Sequence, residues 1–354
     1  RTPSGGSVRI RTLIAVVSLT LAGVGPAVAA PTTLRCGDTV TGNVTLTRNL
    51  SCPYGPGLTL TGTVTLNLNG RTIAGQGVGA ALTVAPLADV TISNGKIKNW
   101  GSGVAADVPG EQADITISDV TLVDNATAID IQFADLTVRD SRVLNSDVGI
   151  DGFTSSLDVD GVVFKNNGVG LFAGGSPTSL TGSTFIANTT GAYCSDTAFR
   201  VSRNTFRGNE SAVITQMCGS VPLTDNTFRD NGTGYRSSWL QGQDQILRNT
   251  FTGNDIGVLA GAPTLVSANT FTRNDTGVTA YSDGWVVVTL DGNTFRRNGD
   301  GVYLEGTSFI ANTTAVNNDR WGIYAPNATD MGGNVAYRNG EPAQCLGVVC
   351  SGDR

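Results

Sequence analysis

A motif of about 22 residues that returns along almost the whole chain constrains the fold more than any other feature. Its clearest copy runs from Asn249 to Val258 and reads NTFTGNDIGV. The slot of its phenylalanine, the marker slot, is apolar thirteen times at spacings of 20 to 25 residues. The marker residues are Ile73, Ile97, Leu122, Val143, Phe164, Phe185, Phe206, Phe228, Phe251, Phe271, Phe295, Ala315 and Ala336. Such a repeat predicts a solenoid in which each copy forms one coil.

Two further apolar columns accompany the marker. One lies five residues before it, from Leu68 to Met331, and the other lies seven residues after it, from Val104 to Val302. Polar and apolar residues alternate around Phe251, and this period of two residues is typical of a half-buried strand. The pattern predicts an all-β, single-domain solenoid of about 12–13 coils with three parallel sheets, which is a parallel β-helix.

The ends of the chain differ from the repeats. A basic start, a short apolar run and the small residues Ala27-Val28-Ala29 predict that residues 1–29 are a signal peptide, with a retained membrane anchor as the alternative. We expect an N-terminal coil over 30–60, β-helix repeats over 61–340 and a tail over 341–354. The predicted mature protein is secreted.

The charge balance narrows the choice of partners. Without residues 1–29, 20 basic and 29 acidic residues remain, which gives a net charge of −9. This charge argues against nucleic acid and against an anionic membrane as partners. The chain contains no histidine, which excludes Ser–His and Cys–His nucleophile systems and histidine metal sites.

The six cysteines form an even set that suits an oxidising compartment. A metal site is the rival interpretation, but the cysteine pairs lie far apart in the repeat and no histidine could complete such a site. We therefore predict no metal site and three local disulfides, Cys36–Cys52, Cys194–Cys218 and Cys345–Cys350.

The first coil carries a familiar pattern. The segments Cys36 to Val40, Leu50 to Cys52 and Leu66 to Gly75 resemble the opening segment of secreted bacterial β-helix proteins of the pectate-lyase-like superfamily. The repeats resemble the NosD-type carbohydrate-binding and sugar-hydrolase repeat domain over about residues 34–340. Arg71 stands where that opening motif usually has histidine. The resemblance implies that the single-domain parallel β-helix is right-handed. It does not specify an activity, because such repeats serve lyases, hydrolases, epimerases and adhesins.

Two polar columns have a structural explanation. Asparagines three residues after the marker can hydrogen-bond along the rod at one bend. They are Asn188, Asn209, Asn231, Asn254, Asn274, Asn298, Asn318 and Asn339. Threonines just before the marker, from Thr184 to Thr294, are expected to form an outward β-favouring ladder.

The outward column eight residues after the marker is the most informative for function. It reads Ala105, Asp130, Asp151, Phe172, Tyr193, Ile214, Arg236, Leu259, Thr279 and Tyr303. Asp130 and Asp151 fall on neighbouring coils, where they could act as a catalytic acid and base or hold Ca²⁺. The predicted substrate-binding residues are Phe172, Tyr193, Arg236 and Tyr303. The rings of Phe172 and Tyr193 could stack on sugars, and the guanidinium of Arg236 could pair with the carboxylate of an acidic glycan.

A catalytic role for the two aspartates has partial sequence support. The run Asn125 to Ile131 faintly resembles a polygalacturonase motif, and Asn145-Ser146-Asp147 lies where the next such motif would fall. However, Val148 stands where that second motif has aspartate, and its histidine is missing. Whether the protein is an enzyme stays open, no cofactor is predicted, and Ca²⁺ is possible but not indicated.

Two charged clusters compete with this column. Asp158 and Asp160 face outward beside Arg139 of the previous coil, which favours a surface ion pair. A basic column one residue after the marker is either a solvated face that discourages edge pairing or a strip that binds polyuronate. It contains Lys98, Lys165, Arg207, Arg229 and Arg296, with Arg273 and Arg297 beside it.

Together the patterns favour a secreted β-helix protein that binds polysaccharide or cell-envelope glycan through an outward sheet face. A polysaccharide lyase or glycoside hydrolase that uses Asp130 and Asp151 is the first alternative. A structural or adhesive surface protein without catalysis is the second. Uniform coils with aromatic stripes favour binding, whereas protruding loops and clustered carboxylates would favour an enzyme.

Overall fold

The chain folds as a parallel β-helix in which each coil contributes up to three short strands. The computed structural model describes residues 33–238, 242–281 and 285–352. The predicted signal peptide over residues 1–29 lies outside this described part. Within the described residues there is no helix long and apolar enough to span a bilayer.

The strands of the N-terminal half are long at first and become short and regular. They are β1 Thr39–Thr45, β2 Leu50–Ser51, β3 Leu58–Asn67, β4 Thr72–Ala74, β5 Ala80–Val84, β6 Asp89–Lys98, β7 Ser102–Asp107, β8 Ala113–Val123, β9 Thr127–Gln132, β10 Ala134–Arg139, β11 Arg142–Leu144, β12 Val148–Phe153, β13 Ser156–Asp160, β14 Val163–Lys165, β15 Val169–Gly174, β16 Thr178–Thr181, β17 Thr184–Ile186, β18 Thr190–Ser195, β19 Phe199–Ser202 and β20 Thr205–Arg207.

The C-terminal half continues the same order. Its strands are β21 Ser211–Gln216, β22 Pro222–Thr224, β23 Thr227–Arg229, β24 Thr233–Ser238, β25 Asp244–Leu247, β26 Thr250–Thr252, β27 Ile256–Ala260, β28 Thr264–Ser267, β29 Thr270–Thr272, β30 Thr276–Ala280, β31 Val288–Asp291, β32 Thr294–Arg296, β33 Asp300–Tyr303, β34 Ser308–Ala311, β35 Thr314–Val316, β36 Ile323–Tyr324, β37 Ala328–Gly332, β38 Asn334–Tyr337, β39 Cys345–Leu346 and β40 Cys350–Ser351.

Three parallel sheets run along the rod, as the sequence predicts. The first sheet holds the column before the marker, the second holds the marker, and the third holds the column after it. Each strand pairs with its counterpart one coil on. Ile246 pairs with Val266 in the first sheet, Phe251 with Phe271 in the second, and Val258 with Val278 in the third.

The marker column forms the centre of the core. All thirteen predicted marker residues are buried, and Leu50 adds a fourteenth because it pairs with Ile73. The described part therefore contains about 14 coils, one more than predicted. From Phe164 to Phe295 the rings stack with centroids 4.5 to 5.0 Å apart and interplanar angles of 4 to 12°. A continuous stack of aromatic rings gives the rod a dry, closely packed interior.

Glycine precedes the third-sheet column because the stacked rings leave no room there. A Cβ atom at Gly257 would lie 2.5 Å from the carbonyl oxygen of Gly277 and 2.8 Å from the ring of Phe271. Both distances are shorter than real Cβ contacts, so a side chain at this position would displace backbone. Glycine at this position is therefore required by the close packing of the next coil.

Two buried asparagine ladders hold the corners on either side of the second sheet. In the ladder three residues after the marker, the backbone N–H and side-chain Nδ2 of Asn231 both donate to Oδ1 of Asn254, at 3.0 and 2.9 Å. Gln344 ends this ladder by accepting from Asn339. A second ladder, two residues before the marker, includes Asn226 and Asn249. These bonds satisfy the backbone of both corners, so the structural explanation of the first ladder is confirmed.

The prediction of the column before the marker is wrong for its first and last residues, Leu68 and Met331. Leu66, not Leu68, pairs with Ile92, because the corner after Leu68 contains two extra residues; Leu68 is nevertheless buried. Met331 is 63% exposed instead of buried. The ladder of β34 and β37 shifts register there, so that Asp330 takes the place opposite Ile310.

The three predicted disulfides are present. Cys36 bonds to Cys52 across the first coil, and Cys345 bonds to Cys350 in the tail. Cys194 and Cys218 join consecutive coils with their Cα atoms 6.4 Å apart. These bonds fasten both ends and the middle of the rod.

Candidate functional site

The column eight residues after the marker lies on the outer face of the third sheet, and we call it the strip. Parallel pairing carries it without a break from Ala105 through Tyr303 and on to two residues beyond the predicted set, Tyr324 and Leu346. Outward side chains at one slot on successive coils lie about 4.8 Å apart. The strip is therefore a straight row of side chains along the rod.

Two half-buried carboxylates occupy the N-terminal part of the strip. Asp130 and Asp151 are direct partners on neighbouring coils. Ser102 donates a hydrogen bond from Oγ to Oδ2 of Asp130 at 3.4 Å. Burial raises the pKa of Asp130 against the effect of that bond, and the charge of Asp107 raises it further. Burial also raises the pKa of Asp151, and the charge of Asp130 adds to this shift.

An aromatic platform follows the carboxylates directly. Phe172 pairs with Asp151, and its ring centroid lies 5.3 Å from that of Tyr193 at an angle of 55°. Phe153 adds a third ring that is 50% exposed. Gly174 leaves space for these rings, since a Cβ there would lie 2.9 Å from Phe172 and 3.0 Å from Phe153. The three rings form an open surface that water reaches.

Polar groups surround the platform. The Tyr193 hydroxyl donates to Oε1 of Gln216, which fixes the ring and leaves the amide nitrogen of Gln216 available as a donor. The two aspartates provide acceptors on the opposite side. No lysine or arginine forms an ion pair with either aspartate among the described residues. This end of the strip combines apolar ring faces with acceptors and has a negative charge.

Arg236 and Tyr303 lie apart from the carboxylates. Arg236 is four coils beyond Asp151, is exposed, and has its guanidinium carbon 5.9 Å from the ring centre of Tyr281. Tyr303 belongs to a second aromatic cluster, because its ring stacks on Tyr324 at 4.6 Å and 10°. Trp321 packs against Tyr324 at 5.2 Å. The structure thus divides the predicted site into two groups of aromatic residues with Arg236 between them.

Sequence reasoning missed several members of the two groups. Phe153 stands two residues after Asp151 on the same strand, so the period of two in that strand was an available signal. Gln216 stands at the corresponding slot of a later coil. Tyr324 was hidden because its coil contains one extra residue, which moves it to nine residues after the marker. The roles of all site residues stay predictions.

The predicted ion pair outside the strip is present. Arg139 contacts Asp158 at 2.7 Å and Asp160 at 3.6 Å, on the first sheet. All three side chains are nearly half exposed, so the cluster adds little to stability. Because it lies on a different sheet, this cluster is separate from the candidate site.

Fold and strip together define a parallel β-helix protein with an open outer face. A family model described as "Periplasmic copper-binding protein (NosD)" matches residues 36–263, which is more than half of the chain. The chain therefore belongs to the NosD family, as its repeats suggested. No curated protein matches the chain.

Two solved structures match the chain at low similarity. The A-module of the Azotobacter vinelandii mannuronan C-5 epimerase AlgE6 is 17% identical, with a TM-score of 0.46 over 82% of this chain and 91% of that chain. A mutant of the periplasmic alginate epimerase AlgG is 11% identical, with a TM-score of 0.32 over 87% of this chain and 76% of that chain. Similarities at this level do not bear on function.

Proposed function

We propose that the protein binds a neutral polysaccharide or cell-envelope glycan through the N-terminal part of the strip. The observation that carries the proposal is the platform of Phe153, Phe172 and Tyr193, which exposes ring faces on a sheet whose other face already supplies the core. Exposed rings that no folding contact requires are typical of binding surfaces. Sugar rings present C–H faces that stack on such rings.

The groups around the platform suit sugar hydroxyls. Asp130 and Asp151 can accept hydrogen bonds from a hydroxyl pair, and the amide of Gln216 can donate one. Two carboxylates without a cationic partner would repel a uronate at this position. We therefore infer a neutral glycan at the platform, whereas an acidic sugar would be better placed near Arg236.

The proposed location is outside the cytoplasm. Three disulfides are stable in an oxidising compartment such as the periplasm or the exterior. The family description also names a periplasmic protein. We propose export followed by binding to glycan of the cell envelope or its surroundings, without nucleic acid as a partner.

Copper, which the family description names, does not fit the side chains of this chain. There is no histidine, and all six cysteines are bonded in disulfides. The two methionines, Met217 and Met331, lie on the surface with 43% and 63% exposed. Within the described residues no three histidine, cysteine, aspartate or glutamate side chains are grouped to hold a metal ion. Copper binding prefers imidazole and sulfur donors, so it is not part of the proposal.

A glycoside hydrolase or lyase is the second candidate. Adjacent coils place Asp130 and Asp151 about 4.8 Å apart at Cα, which allows their carboxyl groups to reach the roughly 5 Å separation of retaining glycosidases. Raised pKa values would suit one of them as a general acid. The open face around them, without a paired cation, favours binding over catalysis.

A polysaccharide panel separates these functions. The protein is tested for retention by each immobilised neutral and acidic glycan and for new reducing or unsaturated ends. We expect retention on a neutral glycan without new ends. New ends that disappear in Asp130→Asn and Asp151→Asn would show catalysis, and neither retention nor cleavage would leave a structural or adhesive role.

A further inference from the structure

A second surface, on the second sheet, has a different character from the strip. Seven arginines project from this sheet and its two corners between residues 203 and 297, accompanied by the acidic residues Asp225 and Asp230. We call this surface the arginine face; its arginines are Arg203, Arg207, Arg229, Arg248, Arg273, Arg296 and Arg297. Its net charge of +5, seven arginines less two aspartates, contrasts with −9 for the chain without residues 1–29. Positive charge is thus concentrated on one side of an acidic rod.

Most of this charge is not neutralised locally. Arg248 pairs with Asp225 at 2.9 Å and Arg229 with Asp230 at 3.1 Å. The other arginines, among them Arg207, form no ion pair within the described residues. Unpaired guanidinium groups remain free to bind an anion.

The arginines occupy positions that folding alone does not favour. Arg207 and Arg229 are direct partners on neighbouring coils, where like charges destabilise a sheet. Arg273 and Arg297 follow each other at one corner with φ of +57° and +55°. Other coils fill this corner with residues such as Asn145, which tolerate the left-handed region better. A local cost without a structural gain points to function.

The shape of the face suits a long, straight ligand. Seven threonines stack on successive coils beside the arginines, from Thr184 to Thr314. The stacked phenylalanines beneath keep these coils in one register. Beyond one corner, exposed Glu210 and Asp255 would repel an anion, whereas Asp275 is paired with Arg320 at 3.1 Å. An anionic chain is therefore confined to a path along the rod axis.

We propose that the arginine face binds a linear acidic polysaccharide whose carboxylate or sulfate groups run along the rod. Guanidinium groups recognise such anions by bidentate hydrogen bonds, and threonine hydroxyls can bind the neighbouring sugar hydroxyls. Among its described residues the face offers no exposed aromatic cluster for nucleobases between Arg203 and Arg297. This proposal uses a different sheet from the strip and does not depend on the proposed function.

Paired resins test the proposal. Retention on dextran sulfate and polygalacturonate is compared with retention on uncharged dextran, at low salt and through a salt gradient. The double variant Arg207→Gln/Arg296→Gln is compared with Arg35→Gln/Arg200→Gln, which removes the same charge from exposed positions elsewhere. Each of these proteins is also measured in a Phe172→Ala/Tyr193→Ala background, which removes two aromatic rings of the strip. Binding by the arginine face is then measured separately from binding by the strip.

We expect the acidic resins, but not uncharged dextran, to retain the strip-deficient protein. Arg207→Gln/Arg296→Gln should weaken this retention by roughly three- to thirty-fold, as expected for two exposed ion pairs, while the control double variant stays like wild type. Equal weakening by both double variants, or no retention at all, would overturn the proposal. Stronger competition by duplex DNA than by polygalacturonate would also overturn it, in favour of nucleic acid.

Discussion

At the scale of single residues, the chain places one carboxyl group inside its core. Asp244 is fully buried in an inward slot where other coils have apolar residues such as Leu136. It accepts hydrogen bonds from the Tyr235 hydroxyl and from the backbone N–H of Val221. Burial raises the pKa of Asp244 to about 7, despite the lowering effect of these two bonds. The Tyr235 hydroxyl is buried in the facing column and needs a hydrogen-bond partner there, which Asp244 provides.

The raised pKa predicts a pH-dependent stability. An unfolded aspartate ionises near pH 4, whereas Asp244 in the folded protein keeps its proton up to about pH 7. Its contribution to stability is complete below about pH 4 and is lost as pH rises towards 7, by at most about 1.4 kcal/mol per pH unit. Asp244→Asn should remove this slope in denaturant unfolding, and exposed Asp255→Asn should retain it. Equal slopes in wild type and Asp244→Asn would contradict this assignment.

At the scale of elements, the asparagine ladder joins successive coils. Asn254→Ala would leave the backbone N–H and the amide of Asn231 without their shared acceptor, and it would remove one donor from the carbonyl of Phe228. We expect a loss of at least about 2 kcal/mol of unfolding free energy, because two buried donors are left unsatisfied and each such group costs about 1–3 kcal/mol. Denaturant unfolding measures this loss. Thr252→Ala, on the outward side, should change stability by less than about 0.5 kcal/mol; similar losses in both variants would be inconsistent with the ladder.

The elements also show what the sequence could reveal. The strand period and the marker column could be recognised in the sequence because most inward slots are apolar in successive coils, as at Phe251 and Val258. Met331 was misassigned because Gly332 and Gly333 take positive φ and shift the last coils. Phe153 and Gln216 were missed because packing does not restrict the residue type at outward slots, so the sequence pattern does not single these residues out. A binding role leaves few signals in a sequence without chemical motifs.

At the scale of the whole molecule, the rod has chemically different sides. The third sheet carries aromatic rings and carboxylates, and the second carries the arginine face. Short corners with asparagine ladders keep both sides straight over many coils. Straight rows of side chains along the axis suit extended polymers better than small molecules, which bind in enclosed pockets.

The most direct test of the proposed function measures binding of the retained neutral glycan by calorimetry. Phe172→Ala/Tyr193→Ala removes two platform rings, and Tyr54→Ala removes a ring that is 92% exposed away from the strip. We predict that the double variant loses roughly tenfold or more in affinity with its melting temperature nearly unchanged, since a stacked ring contributes about 1 kcal/mol. Tyr54→Ala should bind like wild type. Unchanged affinity in the double variant, with the glycan still bound, would contradict the assignment of the strip as the binding surface.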